Sequence, residues 1–346
     1  MKKTLKLVIA LSLIISIFSL AACASNPEAT TEKPTSQENT ANSQENSSNS
    51  QENRSDSQED VSSSQDDISL TIKHQLGETT IEKKPERVIV FDYGVLDTID
   101  YMGEDVVGLP KQSLPPFLNK YNDDKYTDVG SLKEPNFETI YELNPDLIII
   151  SDRQASLYEE FEKIAPTLYL EFKGEDFLNS FKNNLTILGQ IFDKEELLAQ
   201  EIENIEKEIN ELHELASSNS ATALFVMAND GSLSVYGADS RFGIIHNEFG
   251  LAQADENIEA STHGQKVTFE YILDKDPDYL FVLDRTAVVG GETSAQQVMD
   301  NDFIKSTKAY KNQNITFLDP FVWYVASGGI TGIKTMISEV QSAISK

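Results

Sequence analysis

Two arginines stand at matching positions of an internal repeat. The two copies share a helix signal, a Pro-Asp turn, an apolar run and an Asp-Arg pair, at Phe137-Glu138, Pro145-Asp146, 147–150 and Asp152-Arg153, and again 132 residues later, at Phe269-Glu270 through Asp284-Arg285. Arg153 and Arg285 therefore each follow a predicted buried strand. A guanidinium offers a planar, permanently charged fork to an oxyanion, so the pair suits an anionic ligand.

Arg241, which follows the polar segment 236–240, is a third candidate for the same site. Each arginine could instead form a surface salt bridge with the aspartate near it, at positions 152, 239 or 284. The duplicated placement favours ligand binding for Arg153 and Arg285, and the sequence leaves both interpretations open.

A histidine and a tyrosine could supply metal ligands. His263 lies in a polar segment, 261–264, whereas His213 and His246 fall within predicted helices. Tyr324 follows a predicted strand, and a phenolate is a hard oxygen donor suited to ferric iron. The alternatives are a solvated loop histidine and, for Tyr324 and its neighbour Trp323, side chains that pack in the core.

Two glutamates, Glu138 and Glu270, are also equivalent in the repeat. Each falls in the first turn of a predicted helix, after Asn136 and Thr268 respectively. Acidic side chains are favoured there by the helix dipole, which explains them without any function. Paired acids on two lobes would equally suit a partner that contacts both lobes.

The composition excludes several classes of function. A formal charge of -29, from 57 acidic and 28 basic residues, disfavours nucleic acid or an anionic membrane surface as a partner. The single cysteine, Cys23, allows neither a disulfide framework nor a thiolate cluster. No nucleophile elbow, phosphate-binding glycine loop or zinc-protease motif is present, so the sequence predicts a binding protein and not an enzyme.

The arrangement of helices and strands predicts two α/β lobes. Apolar residues spaced by three and four predict a connecting helix near 175–192 and a second helix near 194–216. Strands and helices alternate on both sides, which is typical of parallel sheets that bind ligands beyond their carboxyl ends. We expect an N-terminal lobe at 68–173, a connecting helix at 174–193 and a C-terminal lobe at 194–346.

The N-terminal segment predicts export and a tether. Residues 1–22 carry lysines, then an apolar run, then small residues before Cys23, as in a signal peptide. The segment Leu20–Cys23 resembles the lipobox of bacterial lipoproteins, which implies cleavage before Cys23 and acylation of its thiol. Residues 24–67 are polar and acidic, with a seven-residue Ser-Gln-Glu repeat, and predict a disordered tether after the lipidated cysteine.

The region from about Ile68 to Lys346 resembles the siderophore-binding lipoproteins of bacterial iron ABC importers. The motifs that carry the resemblance are Pro85-Glu86-Arg87-Val88, Leu96-Asp97, 107–110, 135–138, Pro145-Asp146, Asp152-Arg153-Gln154, 240–246, Thr262-His263-Gly264, Asp284-Arg285 and 323–328. They are similar to the branch that binds ferric catecholates such as petrobactin and linear enterobactin fragments. The implied fold is the class III periplasmic-binding-protein fold, two Rossmann-like lobes joined by a long rigid α-helix.

This resemblance implies a role for each candidate residue. Arg153, Arg241 and Arg285, with Trp323, would contact the catecholate, and His263 and Tyr324 would ligate iron that the siderophore leaves incompletely coordinated. Glu138 and Glu270 would dock onto arginines of the permease. Cys23 would carry the lipid.

The implied protein is a monomer with no intrinsic cofactor, whose ligand is an Fe(III)-siderophore. It would be anchored by palmitate on the outer face of a Gram-positive cytoplasmic membrane, with a periplasmic position as the alternative. A helical connector predicts small lobe closure. The other functions considered are haem capture through His263 and Tyr324, a zinc or manganese receptor, a tethered surface adhesin and turnover of a bound siderophore.

Overall fold

The computed structural model describes residues 69–218 and 220–345. The predicted signal peptide, the lipidated Cys23 and the tether lie outside these residues. Among the residues described, no helix is both long and apolar enough to cross a membrane.

Thirteen strands and thirteen helices are present in the described part of the chain. The strands are β1 Ser69–His74, β2 Gly77–Glu82, β3 Val88–Val90, β4 Gly108–Leu109, β5 Thr127–Asp128, β6 Leu147–Ile150, β7 Thr167–Tyr169, β8 Thr222–Asn229, β9 Ser232–Tyr236, β10 Ala252–Gln253, β11 Gln265–Val267, β12 Tyr279–Asp284 and β13 Ile315–Leu318. The helices are α1 Tyr93–Tyr101, α2 Phe137–Glu142, α3 Tyr158–Glu162, α4 Phe177–Phe192, α5 Glu195–Ser217, α6 Ile244–Asn247, α7 Phe269–Lys275, α8 Thr286–Val289, α9 Ala295–Met299, α10 Asp302–Ser306, α11 Lys308–Lys311, α12 Pro320–Val325 and α13 Ile330–Ile344. Short 3₁₀ helices occupy Pro116–Asn122, Asp152–Leu157 and Gly174–Asp176.

The first lobe is built on a parallel five-stranded sheet with the order β5-β4-β3-β6-β7. Strand β6 lies near its centre, and all four of its residues, Leu147 to Ile150, are buried. A continuous apolar run is expected for a strand covered on both faces. An antiparallel hairpin, β1-β2, precedes this sheet.

The second lobe contains a mixed six-stranded sheet. Its order is β11-β9-β8-β12-β13, with β10 paired to β8. Strand β12, the repeat counterpart of β6, again runs parallel to both of its neighbours, β8 and β13. The carboxyl ends of β6 and β12 therefore each present an Asp-Arg pair at the edge of a parallel array.

Two long helices, α4 and α5, lie between the sheets in sequence and confirm the helices expected near 175–192 and 194–216. The turn between them is made by Asp193, which takes a left-handed conformation (φ 53°) at the end of α4. One core cluster runs from the first sheet through α4, α5 and α13 to the second sheet. The C-terminal helix α13 packs on both α1 and α5. The lobe boundaries proposed from the sequence stay a prediction.

Tyr324 follows strand β13, as the sequence predicted, and it lies inside helix α12. That helix begins because Asp319 accepts hydrogen bonds from the amides of Phe321 and Val322, with Pro320 in the first turn. The Asp-Pro pair is the local sequence signal for this helix start.

A buried carboxyl group joins α1 of the first lobe to α13. Asp97 is 2 % exposed, and its Oδ2 accepts a hydrogen bond from the amide of Gly332 at 3.0 Å. Burial raises the pKa of Asp97, and hydrogen bonds from Thr331 and Gly332 offset only part of that effect. The stabilising contribution of this group is therefore fully present below its unfolded pKa and is lost as the pH rises through the folded value.

We expect Asp97→Asn to become more stable relative to the wild type as the pH rises above the unfolded pKa of Asp97, near 3.8. The amide mimics the protonated carboxyl and can still accept from Gly332, but it has no charge to bury. Urea denaturation of both proteins from about pH 4 to about pH 7 measures the difference in the free energy of unfolding. Glu142→Gln, at an exposed position on α2, controls for loss of one negative charge. A difference that is flat with pH would contradict the assignment.

Candidate functional site

A cavity of about 320 Å³ lies at the carboxyl ends of the strands, where the two lobes meet. Residues from both lobes and from the segment that joins them to α4 line it: Asp92, Ser151, Asp152, Arg153, Phe172, Gly174, Phe177, Arg241, Thr262, Tyr324, Val325, Ser327 and Gly328. The mixture of aromatic surface and a few convergent polar groups is typical of small-molecule sites.

The three candidate arginines converge on Tyr324. Arg153 of the first lobe and Arg241 of the second each donate an Nη2 hydrogen bond to the Tyr324 carbonyl, both at 2.9 Å. Arg285 donates from Nε to the Tyr324 hydroxyl at 2.7 Å, and its Nη1 is held by Asn229 at 2.7 Å. The guanidiniums of Arg241 and Arg285 lie 5.0 and 5.4 Å from the centre of the Tyr324 ring.

The salt-bridge alternative for these arginines is wrong. Every ion pair in residues 69–218 and 220–345 uses a lysine as the cation. The Asp152 carboxylate accepts instead from the Tyr169 hydroxyl at 2.5 Å. Asp284 accepts from the amides of Ala287 and Ala295. Asp152 and Asp284 therefore accept hydrogen bonds from a tyrosine hydroxyl and from backbone amides, and neither forms an ion pair with its neighbouring arginine.

The cluster brings like charges close together. Burial, followed by the positive charge of Arg153, lowers the pKa of Arg241 below its ordinary value. Asp152 offsets only part of this effect. Two neighbouring cations that form no ion pair therefore favour an anion placed between them. The geometry is therefore suited to binding a compact anion.

Trp323 does not contact this cavity. Its side chain is fully buried, its ring lies 5.5 Å from that of Phe225, and its Nε1 donates to Glu339 Oε2 at 2.7 Å. Successive residues of a helix point in directions about 100° apart, so Tyr324 can face the cavity while Trp323 faces the core. The expectation that Trp323 contacts the ligand is corrected to a packing role.

His263 lies beside the cavity. Its neighbour Thr262 lines the cavity, whereas the His263 side chain is exposed in the turn 261–264. The turn is held by the Ser261 Oγ, which accepts from the His263 amide at 3.3 Å. No group of three or more His, Cys, Asp or Glu side chains within the described residues could hold a metal ion. An iron ion at this site would have to bring most of its ligands with it.

Sequence reasoning missed several lining residues. Asp92 lies two residues after the end of strand β3. Its Oδ1 accepts hydrogen bonds from the amides of Gly94 and Val95, and its Oδ2 accepts one from the Ser151 hydroxyl. Its position just after a buried strand is a signal that could have found it. Phe172 lies in the irregular segment after the edge strand β7, and Gly174 begins the short 3₁₀ helix that follows. No periodic pattern marks either residue.

The two repeat glutamates occupy equivalent places. Glu138 and Glu270 are exposed in the first turns of α2 and α7. Asn136 and Thr268 cap these helices by accepting from the amides of Thr139 and Tyr271. Both acids are exposed to another molecule, although hydrogen bonds from its own amide and from Thr268 lower the pKa of Glu270.

Comparison with known proteins gives consistent relatives. Residues 88–321 match the family described as periplasmic binding protein. The petrobactin-binding protein YclQ of Bacillus subtilis is 48% identical over 80% of this chain and 89% of its own. Its crystal structure has a TM-score of 0.79 and covers 81% of this chain and 99% of that one.

Two further relatives come from Vibrio species. The ferric-anguibactin-binding protein FatB of Vibrio anguillarum is 36% identical over 78% of this chain and 86% of its own. The catecholate-siderophore-binding protein VctP of Vibrio cholerae is 37% identical with a TM-score of 0.76, over 80% of this chain and all of its own. The two-lobed α/β architecture, the family match and these identities lead to one conclusion: the chain belongs to the periplasmic binding protein family.

Proposed function

We propose that this protein is the extracytoplasmic binding component of an iron ABC importer, and that it captures a ferric catecholate siderophore in the cavity between its lobes. The observation that carries the proposal is the convergence of Arg153, Arg241 and Arg285 on Tyr324 without acidic partners. The named ligands of YclQ, FatB and VctP, a petrobactin, a ferric anguibactin and a catecholate, support the same class of ligand.

The ligand's chemistry fits the cluster. A ferric catecholate is anionic, and its phenolate oxygens accept charge-assisted hydrogen bonds from guanidinium groups. Such a ligand would replace the Tyr324 carbonyl as acceptor for Arg153 and Arg241. The bound anion would remove the repulsion between these two partly buried cations, so binding and electrostatic relief would occur together.

Haem capture, the alternative considered from the sequence, has less support. The relatives reported above are named for siderophores, and the haem alternative assigned His263 and Tyr324 as axial ligands. His263 lies outside the cavity lining, on an exposed turn. The siderophore is therefore the ligand that we propose.

We expect the Arg153→Ala/Arg285→Ala double variant to lose most affinity for a ferric catecholate. Each lost charge-assisted hydrogen bond weakens binding by about ten- to a hundredfold. Titration of the full-length protein, followed by quenching of its single tryptophan, measures the affinity. Arg87→Ala is the control, because Arg87 donates to the carbonyls of Leu143 and Asn144, away from the cavity. Equal affinity for the double variant and the wild type would refute the proposed site.

We further propose that Tyr324 and His263 fill iron positions that a bis-catecholate leaves to water. The Tyr324 hydroxyl already accepts a hydrogen bond from Arg285, and on ligand binding its oxygen would coordinate iron in place of that contact. His263 would reach the ligand by an inward movement of the turn 261–264. Two protein donors added to four catecholate oxygens would complete an octahedron.

Tyr324→Phe or His263→Ala should lower the affinity for a ferric bis-catecholate by about tenfold or more. The affinity for a ferric tris-catecholate should stay within about twofold of the wild-type value, because the tris complex has no open iron position. The visible charge-transfer band of the protein-bound bis complex should also shift in Tyr324→Phe. His213→Ala is the matched control, since His213 lies on α5 and its Nδ1 contacts the Glu248 carbonyl. Equal effects on the bis and tris complexes would argue against direct ligation.

Delivery to the importer would use the lipid at Cys23 and the acids Glu138 and Glu270. We expect Glu138→Lys/Glu270→Lys to reduce uptake of ⁵⁵Fe-siderophore by cells about tenfold or more, through like-charge repulsion with a basic permease surface, while ligand affinity stays unchanged. Glu142→Lys, exposed on the same helix α2, is the control. Cys23→Ala should release the protein from the membrane in the same cells. Normal uptake by the charge-reversed variant would exclude the docking role.

A further inference from the structure

One aromatic ring in the cavity wall is left available to a ligand. Phe172 follows β7 at the carboxyl end of the first sheet and lines the cavity with Arg153 and Arg241. It is partly buried and packs against the main core. Its ring centre lies 6.3 Å from that of Phe177, at an angle of 39°.

The other two aromatic residues of the wall are already occupied. Phe177 is 3% exposed and stacks with Phe181 at 6.3 Å. The Tyr324 ring has the guanidiniums of Arg241 and Arg285 within 5.4 Å of its centre. Phe172 is only half-buried, and among the described residues no cation lies over its ring, so part of its surface remains accessible to a flat ligand group.

Two glycines fix where this ring sits. A Cβ at Gly328 would overlap the Phe172 ring, so the missing side chain is what allows the ring to rest on the backbone between α12 and α13. A Cβ at Gly174 would overlap the Cα of Arg241. The segment that carries Phe172 is thus held against the second lobe, beside the arginine that would bind the ligand's oxygens.

We propose that Phe172, positioned by Gly328, is a specificity determinant that packs against the aryl ring of the siderophore. The inference rests on the proposed function and deepens it. The arginines would recognise the charge of the ferric chelate, which carboxylate and catecholate ligands share. Phe172 would recognise the ring that distinguishes a catecholate, because aromatic pairs gain attraction beyond that of buried area alone.

The test compares two ferric complexes, that of 2,3-dihydroxybenzoate, which has an aryl ring, and ferric citrate, which has none. Phe172→Leu keeps an apolar side chain of similar size and should weaken the aryl complex about two- to tenfold. Phe172→Tyr keeps the ring, and its affinity for the aryl complex should stay within about twofold of the wild-type value. Affinity for ferric citrate should be unchanged in both variants. Tryptophan quenching of the full-length protein measures all the affinities.

Gly328→Ala tests the positioning step. Its Cβ would push the Phe172 ring aside, so Gly328→Ala should lower the affinity for the aryl complex when Phe172 is present. In the Phe172→Leu background the same substitution should cause no further loss of affinity. Equal losses for both ferric complexes, or equal losses for the Leu and Tyr variants, would overturn the inference and assign Phe172 to general packing.

Failure of the proposed function gives a separate result. If neither ferric complex binds to the wild type, the function is wrong, and iron-free dihydroxybenzoate then decides the inference. Saturation-transfer NMR should show its ring protons in contact with the wild type and not with Phe172→Leu. Absence of a signal with the wild type would overturn the role of Phe172.

Discussion

Three guanidinium groups packed around one tyrosine are the constraint on which the rest of the structure depends. Arg153 and Arg241 share the Tyr324 carbonyl, and Arg285 holds its hydroxyl. Like charges at this distance repel, and burial makes the repulsion stronger. Such a cluster persists only when a rigid scaffold fixes each side chain. An anion placed among these groups is attracted by all three charges.

The scaffold meets that requirement for two of the arginines by placing them shortly after buried strands of different sheets. Arg153 and Arg285 follow the central strands β6 and β12, whose buried residues leave little room for movement. Helix α12 carries Tyr324 and is fixed from behind by the bond from Trp323 to Glu339. A single core through α4, α5 and α13 joins the two sheets. This continuity favours small closure over a wide hinge movement.

Much of this arrangement was predictable from local pattern. The repeat placed Arg153 and Arg285 at equivalent strand ends, because a buried apolar run followed by a charged pair reports the edge of a sheet. The helices α4 and α5 were visible from their periodicity. Trp323 was assigned wrongly because adjacent aromatic residues look alike in sequence. Phe172 was missed because an irregular segment has no period.

The sequence by itself determined the two-lobed α/β architecture, the strand ends that carry arginines and the acidic, single-cysteine character of the chain. These properties follow from local propensity and composition, which act over a few residues. Only the tertiary structure decided that the three arginines converge on Tyr324, that Tyr324 and not Trp323 faces the cavity, and that Phe172 rests on Gly328. These contacts join residues more than 80 positions apart, so they depend on how the two sheets pack and not on neighbouring residues in the chain.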